Sequence, residues 1–399
     1  MKYISFLIKP ASSACDMRCS YCFYRDVADH RAHAVRELMS EETVRALVDR
    51  ALGLGSDAQV TFAFQGGEPT LAGLDFFRSF TAYVDERRTG QTVSYALQTN
   101  GHSLTPEWAA FFREHGFLVG VSVDAYRELH DSLRGDIRLE PTHARVMESV
   151  RMLREAGVEF NVLTVLSAQL ARHPQRVFKF YQREKIDYVQ LIPCLAGFDG
   201  EGEEYALTPR AFFSFYRTFF DLWLREARAG RAFSVGLFDN VMQLSLGQWP
   251  QACGMLGRCA PQFVVESNGD VYPCDFYALD EYRCGNIRED SLEEMASCDV
   301  MRGFLAEPRR ECAACADCPF EGICHRNCKR LNASYYDETY CGYREFLEHA
   351  YKPLAEMARA LVRQRIGQRI GGSELGTVPN SHKTFLQIGD CPQFTDRED

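Results

Sequence analysis

Two hydrophobic patterns alternate along the first half of the chain. Short apolar runs typical of buried strands cover residues 3–8, 60–64, 93–99, 118–123, 160–166 and 188–192. The segments between them carry a helical period; after Ser40, for example, Val44, Leu47, Val48, Ala51 and Leu52 share one helix face. Further helices are predicted from about residue 74, from Pro106, from about residue 142 and over 176–184.

Repeated strand–helix units of this kind predict an α/β fold with a parallel sheet and outer helices. Six units favour a partial (β/α)6 barrel, TIM-like but open, over a closed barrel of eight units. In such a barrel the functional loops lie at the carboxyl ends of the strands.

The pattern changes near residue 235. Between Cys253 and Cys341 the segments are short, cysteines are frequent, and turn signals such as Ser267-Asn268-Gly269-Asp270 appear. A region so poor in long elements needs metal to hold its fold. We therefore predict a barrel over residues 1–234, a small cysteine-rich domain over 235–348, a C-terminal helix over 349–370 and a mobile tail over 371–399.

Composition narrows the class of protein. The chain has 399 residues, a formal net charge of -10 and 16 cysteines. We find no basic patch that would indicate nucleic-acid binding and no apolar run of about 18 residues that would span a membrane. We see no convincing export signal, because the apolar start is short and is broken by Lys9-Pro10. We therefore expect a cytoplasmic protein whose reduced thiolates bind metal.

Three cysteines follow the first predicted strand, in the spacing Cys15-x3-Cys19-x2-Cys22. Four-iron clusters normally use four cysteines, so three thiolates leave one iron open to a small molecule. S-adenosylmethionine (SAM) can chelate that iron, and its cleavage yields a 5′-deoxyadenosyl radical. A zinc site lacking one ligand is the alternative, but zinc sites prefer paired C-x-x-C knuckles.

Polar residues at later strand ends extend this site. Gln65-Gly66-Gly67-Glu68-Pro69 follows the second strand, where glycines allow close approach of a ligand and Glu68 could bind the SAM ammonium group. Ser122 and Arg134 could bind the SAM carboxylate.

The remaining cysteines form a second region, with Cys253-x5-Cys259 and then Cys274. After these come Cys312-x2-Cys315-x2-Cys318-x5-Cys324-x3-Cys328 and then Cys341. Eight ligands complete two four-cysteine clusters. Two structural zinc sites are the alternative on spacing alone, and the upstream motif favours iron.

The order of these motifs resembles radical SAM proteins with a C-terminal twin-cluster (SPASM) domain. Four segments, three of them without any cluster ligand, narrow the resemblance to the anaerobic sulfatase-maturating enzymes, over roughly residues 3–355. These segments cover residues 7–13, 62–73, 262–267 and 271–277.

The resemblance implies three [4Fe–4S] clusters, SAM, and a role for individual residues. By position, the first auxiliary cluster would bind Cys253, Cys259, Cys274 and Cys328, and the second Cys315, Cys318, Cys324 and Cys341. Positions that contact SAM correspond to Tyr21, Gly67, Ser122, Arg134 and Leu195. Asp275 corresponds to the proton acceptor.

Five cysteines remain without a role. Cys312 offers another C-x-x-C step, so the ligand frame could shift to Cys312 and Cys315; the gap before Cys324 favours Cys315 and Cys318. The others, which we expect to be buried free thiols, are Cys194, Cys284, Cys298 and Cys391.

The family oxidises one Cys or Ser of an unfolded or nascent sulfatase to formylglycine (3-oxoalanine), within a Cys/Ser-x-Pro-x-Arg motif. An electron donor such as flavodoxin or ferredoxin is implied as a second partner. A related enzyme that crosslinks a ribosomal peptide is the first alternative, although it would have no need for Asp275 as placed here. A non-catalytic iron–sulfur electron carrier is a more remote one.

Overall fold

The computed structural model describes residues 3–32 and 37–370. Its strands are β1 (Tyr3–Ile8), β2 (Met17–Cys19), β3 (Gln59–Phe64), β4 (Thr92–Thr99), β5 (Leu118–Ser122), β6 (Arg134–Asp136), β7 (Glu159–Leu166), β8 (Tyr188–Pro193), β9 (Ser234–Val235), β10 (Phe263–Val265), β11 (Asp270–Tyr272) and β12 (Gly285–Asn286).

The helices of the barrel region are α1 (Phe23–Asp29), α2 (Glu41–Leu52), α3 (Leu74–Arg87), α4 (Pro106–His115), α5 (Arg127–Leu133), α6 (His143–Glu155), α7 (Pro174–Arg183) and α8 (Pro209–Arg228). Those that follow are α9 (Gly236–Ser245), α10 (Leu292–Ser297), α11 (Asp299–Ala306), α12 (Glu321–Cys324) and α13 (Gly342–Ile370).

The six predicted strands form the parallel centre of one sheet, in the order β1-β3-β4-β5-β7-β8. Their register brings Ile8 beside Phe64 and Thr99 beside Val121, so the carboxyl ends of neighbouring strands lie at one edge. The predicted partial barrel is confirmed. The helix predicted after Ser40 is also present, and the Ser40 side chain accepts a hydrogen bond from the Thr43 amide.

Several helices escaped the sequence reading, and the two longest of them are α8 and α9. α8 begins after Thr208, whose side chain caps it, and buries a row of aromatic side chains. α9 follows within the region predicted to lack long elements. The signal for α8 was present in the helical spacing of its aromatic residues, which are Phe212, Phe215, Tyr216, Phe219, Phe220 and Trp223.

The cysteine-rich region is attached to the barrel by backbone pairing. β10 lies parallel to β1, with Phe6 opposite Phe263, and β11 and β12 extend the sheet further. The short elements expected between Cys253 and Cys341 are present. The C-terminal helix begins at Gly342, a few residues earlier than predicted, and packs on α8 and α9.

Within residues 3–32 and 37–370, no helix is both long and apolar enough to cross a bilayer.

Candidate active site

One large cavity opens at the carboxyl ends of the central strands. Its empty volume is about 1950 Å3, the open mouth included. Cys15, Cys19 and Cys22 line it from the barrel side. Cys274 and Asp275 line it from the cysteine-rich region. The cavity therefore joins the two cysteine motifs that the sequence separates.

The Gly66-Gly67 turn supports the three-cysteine loop. The Gly67 amide donates to the Ser12 carbonyl at 2.7 Å, and the next amide donates to the Ala14 carbonyl at 2.7 Å. A Cβ atom on Gly67 would lie 2.1 Å from the Ala14 oxygen. Only glycine allows this approach, so the turn fixes the position of the loop that carries Cys15.

Glu68 does not line the cavity, so the structure does not support the expectation that it could bind the SAM ammonium group. Its side chain is fully buried. One carboxylate oxygen accepts from the Thr70 hydroxyl at 2.7 Å and the Thr99 hydroxyl at 2.9 Å, and the other accepts from the Asn100 amide at 2.7 Å. Burial raises the pKa of Glu68 to about 7, although these hydrogen bonds lower it. Glu68 therefore links the turn after β3 to the end of β4 through hydrogen bonds.

All five positions matched to SAM contacts line the cavity. They are Tyr21, Gly67, Ser122, Arg134 and Leu195. Two of these residues, Tyr21 and Arg134, contact each other. The Tyr21 hydroxyl accepts a hydrogen bond from the Arg134 guanidinium at 3.0 Å and donates one to Asp124.

Asp124 anchors this group to the barrel. Its side chain is fully buried, and it accepts from the Val165 amide at 3.1 Å. Its own amide donates to His130 Nδ1 at 3.1 Å. Burial lowers the pKa of His130 well below its usual value, so the neutral imidazole can accept that bond.

Asp275 lies among three polar side chains from the barrel. Lys9 Nζ is 3.0 Å from Asp275 Oδ1. Asp275 Oδ2 accepts from the Tyr24 hydroxyl at 2.7 Å and from Gln65 Nε2 at 3.2 Å. Burial lowers the pKa of Lys9, but the Asp275 and Glu266 carboxylates more than offset this and the pKa is raised. Sequence reasoning did not find Lys9 or Tyr24, because only the fold brings them to Asp275.

A second ion pair lies behind Lys9. Glu266 accepts from Arg31 at 3.0 Å and from the Ser12 hydroxyl at 2.6 Å, and it lies 3.4 Å from Lys9 Nζ. The Lys9, Arg31 and Glu266 side chains are each less than 5% exposed, at 3%, 4% and 3%. Asp275 is thus held by a buried charge network rather than by solvent-exposed groups.

Two smaller cavities each gather four of the remaining cysteines. One, with an empty volume of about 450 Å3, is lined by Cys253, Cys259, Cys274 and Cys328. The other, of about 370 Å3, is lined by Cys315, Cys318, Cys324 and Cys341. In the part of the chain described, no three His, Cys, Asp or Glu side chains are arranged to hold a single metal ion.

These donor sets suit clusters. Four sulfurs around a cavity wider than one ion match the ligation of a [4Fe–4S] cluster. Burial raises the pKa of Cys324 to about 12 and that of Cys341 to about 11, so bound iron is needed to hold them as thiolates.

The surplus cysteines that the structure describes lie outside the two smaller cavities, although Cys194 lines the large one. Cys312 is buried and hydrogen-bonds to Cys315, outside the cavity that Cys315 lines. Cys194 and Cys284 are buried free thiols, as expected, whereas Cys298 is only partly buried and its sulfur caps α11. Cys391 and the predicted mobile tail lie outside the described residues.

The fold and the three-cysteine loop define a radical SAM enzyme with an appended iron–sulfur domain. The sequence profile of the Radical SAM superfamily matches residues 10–180, and that of the SPASM iron-sulfur cluster-binding domain matches residues 257–319. The expected cofactors, SAM and [4Fe–4S] clusters, follow from these two domains.

Known relatives identify the family. A cysteine-type anaerobic sulfatase-maturating enzyme of Clostridium novyi is 36% identical over 370 residues, which are 90% of this chain and 99% of the relative. A serine-type enzyme of Bacteroides thetaiotaomicron is 28% identical over 91% of this chain and 93% of its own length. This chain belongs to the anaerobic sulfatase-maturating enzymes, as the sequence motifs predicted.

A solved structure carries the same fold. The structure of native anSMEcpe with bound AdoMet and Cp18Cys peptide superimposes with a TM-score of 0.81 and 34% identity, covering 90% of this chain and 99% of that one.

Proposed function

We propose that this protein oxidises a Cys, or a Ser, of a sulfatase polypeptide to formylglycine. One structural observation supports this proposal independently of family membership: Asp275 and the three-cysteine loop line the same cavity. A group that removes a hydrogen atom and a group that accepts a proton can therefore face the same substrate carbon and heteroatom.

We assign the clusters by cavity. Cys15, Cys19 and Cys22 would hold the cluster that binds SAM. The four cysteines of the 450 Å3 cavity would hold the first auxiliary cluster, and the four of the 370 Å3 cavity the second. The first auxiliary site borders the active cavity, because Cys253, Cys274 and Cys328 line both.

When bound, these cofactors supply the deoxyadenosyl radical that takes a hydrogen atom from the substrate β-carbon and the auxiliary cluster that accepts the remaining electron. The protein's own residues position the reactants. Arg134 and Ser122 would hold the SAM carboxylate. Asp275 would accept the proton of the substrate thiol or hydroxyl, with Lys9 and Tyr24 fixing its orientation. A serine would give the aldehyde directly, whereas a cysteine would give a thioaldehyde that water converts to the aldehyde with release of hydrogen sulfide.

The substrate is proposed to carry a Cys/Ser-x-Pro-x-Arg motif, and the reductant to be a flavodoxin or ferredoxin. The cysteine-type relative of Clostridium novyi is 36% identical and the serine-type relative of Bacteroides thetaiotaomicron 28%. A cysteine peptide is therefore the first substrate to test. A cytoplasmic location and the domain bounds at residues 234, 348 and 370 stay predictions.

The test combines the anaerobically reconstituted enzyme with SAM, a reductant and a peptide of about 18 residues that carries the motif. Mass spectrometry reads the peptide, beside a Ser version and an Asp275→Asn variant. We expect an aldehyde at the motif residue in the wild type and its loss in the variant, with SAM cleavage retained.

Two other outcomes reject parts of the proposal. Deoxyadenosine without any change in the peptide would reject this substrate and favour a peptide-crosslinking activity. Full aldehyde formation by Asp275→Asn would show that another group accepts the proton.

A further inference from the structure

Several glutamines line the active cavity, and two of them, Gln98 and Gln190, combine an unpartnered side-chain oxygen with no role in the chemistry above. Gln98 lies on β4 and Gln190 on β8, and both line the cavity. The side-chain oxygen of each is buried and finds no hydrogen-bond partner within the described residues. Gln190 as a whole is only 8% exposed. A buried amide left unpaired costs free energy unless a ligand completes it.

Strand register gives the position of Gln190. Ser122 on β5 pairs with Leu163 on β7, and Leu163 pairs with Gln190 on β8. Gln190 is therefore level with a SAM-matched position but two strands away from it. It also precedes Leu195, the SAM-matched position after β8, by five residues along the chain. The amide therefore lines the cavity on β8, two strands beyond the strand that carries Ser122.

The charge of the lining indicates what kind of group binds there. Apart from the cysteines, only Arg134 and Asp275 among the described lining residues carry a full charge. Both have other proposed tasks, with the SAM carboxylate and with the substrate proton. A ligand held by the remaining lining must offer neutral donors and acceptors together with apolar surface.

A peptide group has that chemistry. A side-chain amide has two donors and an acceptor, and it can bond to both the N–H and the C=O of a main-chain amide. We propose that Gln98 and Gln190 bind the main chain of the substrate polypeptide inside the barrel. This inference rests on the proposed function and names the part of the substrate that the cavity recognises: the backbone beside the reacting residue rather than a charged side chain.

The test uses Gln98→Met and Gln190→Met, which remove the amide at nearly constant length. Gln243→Met is the matched control, since Gln243 also has a buried, unpartnered amide oxygen among the described residues but does not line the cavity. Peptide binding is measured anaerobically in the presence of SAM. Deoxyadenosine formation without peptide and SAM affinity are measured in parallel.

We expect each cavity variant to weaken peptide binding about 3- to 10-fold, the loss of about one hydrogen bond. The KM for peptide should rise with little change in kcat, and SAM affinity should stay constant. Peptides N-methylated at single backbone positions sharpen the result. At least one N-methylated peptide should bind the wild type more weakly than the unmethylated peptide does. In Gln190→Met the same methylation should cause no further loss of affinity, because the hydrogen bond that it removes is already missing.

Two outcomes overturn the inference. Weaker SAM binding in Gln190→Met would assign the amide to SAM. Unchanged peptide and SAM affinity in both variants would mean that the amides hold only ordered water. Failure of the proposed function is distinguishable, because it shows as a wild-type enzyme that cleaves SAM but leaves the peptide unmodified.

Discussion

Lys9 and Asp275 form an ion pair between the end of the first strand of the barrel and the cysteine-rich region. Lys9 Nζ lies 3.0 Å from Asp275 Oδ1, and the Lys9 side chain is only 3% exposed. β1 ends one residue before Lys9, and β10, which leads to Asp275, pairs with β1. The pair therefore depends on the attachment of the cysteine-rich region to the barrel.

Replacing Lys9 by Met should reduce aldehyde formation at least about tenfold, because the partly buried Asp275 carboxylate loses its charged partner and is held less firmly toward the substrate. SAM cleavage without peptide should change little. Lys179→Met, at an exposed lysine, is the control. An unchanged rate of aldehyde formation in Lys9→Met would remove Lys9 from the mechanism.

The iron content of two variants should show which of Cys312 and Cys315 is a ligand of the second auxiliary cluster. Cys315→Ala should lower bound iron from about twelve to about eight atoms per chain, because it removes a ligand of the second auxiliary cluster. Cys312→Ala should leave it near twelve, since Cys312 lies outside that cavity. Iron and sulfide analysis after anaerobic reconstitution reads the result. The reverse pattern would favour the shifted ligand frame.

Gly67→Ala should disrupt the three-cysteine loop, because the added Cβ would lie 2.1 Å from the Ala14 oxygen. We expect loss of the SAM-binding cluster's iron and of deoxyadenosine formation, with both auxiliary clusters retained. Gly303→Ala is a matched control, as its Cβ would meet nothing within 4 Å. A full iron content in Gly67→Ala would show that the loop can shift.

The free energy of unfolding should fall as the pH is lowered, and protonation of His130 in the unfolded chain should account for part of this fall. Its folded pKa lies well below the usual 6.5, with burial as the main cause. The unfolded chain therefore binds a proton that the folded protein excludes once the pH drops below about 6.5. The sign is a loss of stability toward acid, by up to about 1.4 kcal/mol per pH unit.

Anaerobic thermal unfolding between pH 7.5 and 5.5 measures this effect. His130→Gln should lower stability at neutral pH but show a shallower decline toward acid. His173→Gln, at an exposed histidine, should keep the wild-type slope. Equal slopes in all three proteins would mean that His130 does not carry the dependence.

The sequence by itself determined the order of the six central strands, most of the helices between them, and the segments that carry the cluster-binding cysteines. Apolar runs and helical periods are local signals, and so is Cys15-x3-Cys19-x2-Cys22. A local signal of the same kind is present for α8, whose aromatic residues repeat at helical spacing. These features depend on neighbours a few residues apart, which is why a linear reading can find them.

Only the tertiary structure decided which distant side chains meet. Glu68 looked like a ligand-binding carboxylate, but its carboxylate is buried and accepts hydrogen bonds from Thr99 and Asn100 at the end of β4. Gln98 and Gln190 looked like ordinary strand residues until curvature of the sheet brought both to one cavity. Such contacts follow from strand register and sheet closure, which join residues far apart in the chain and leave no local pattern in the sequence.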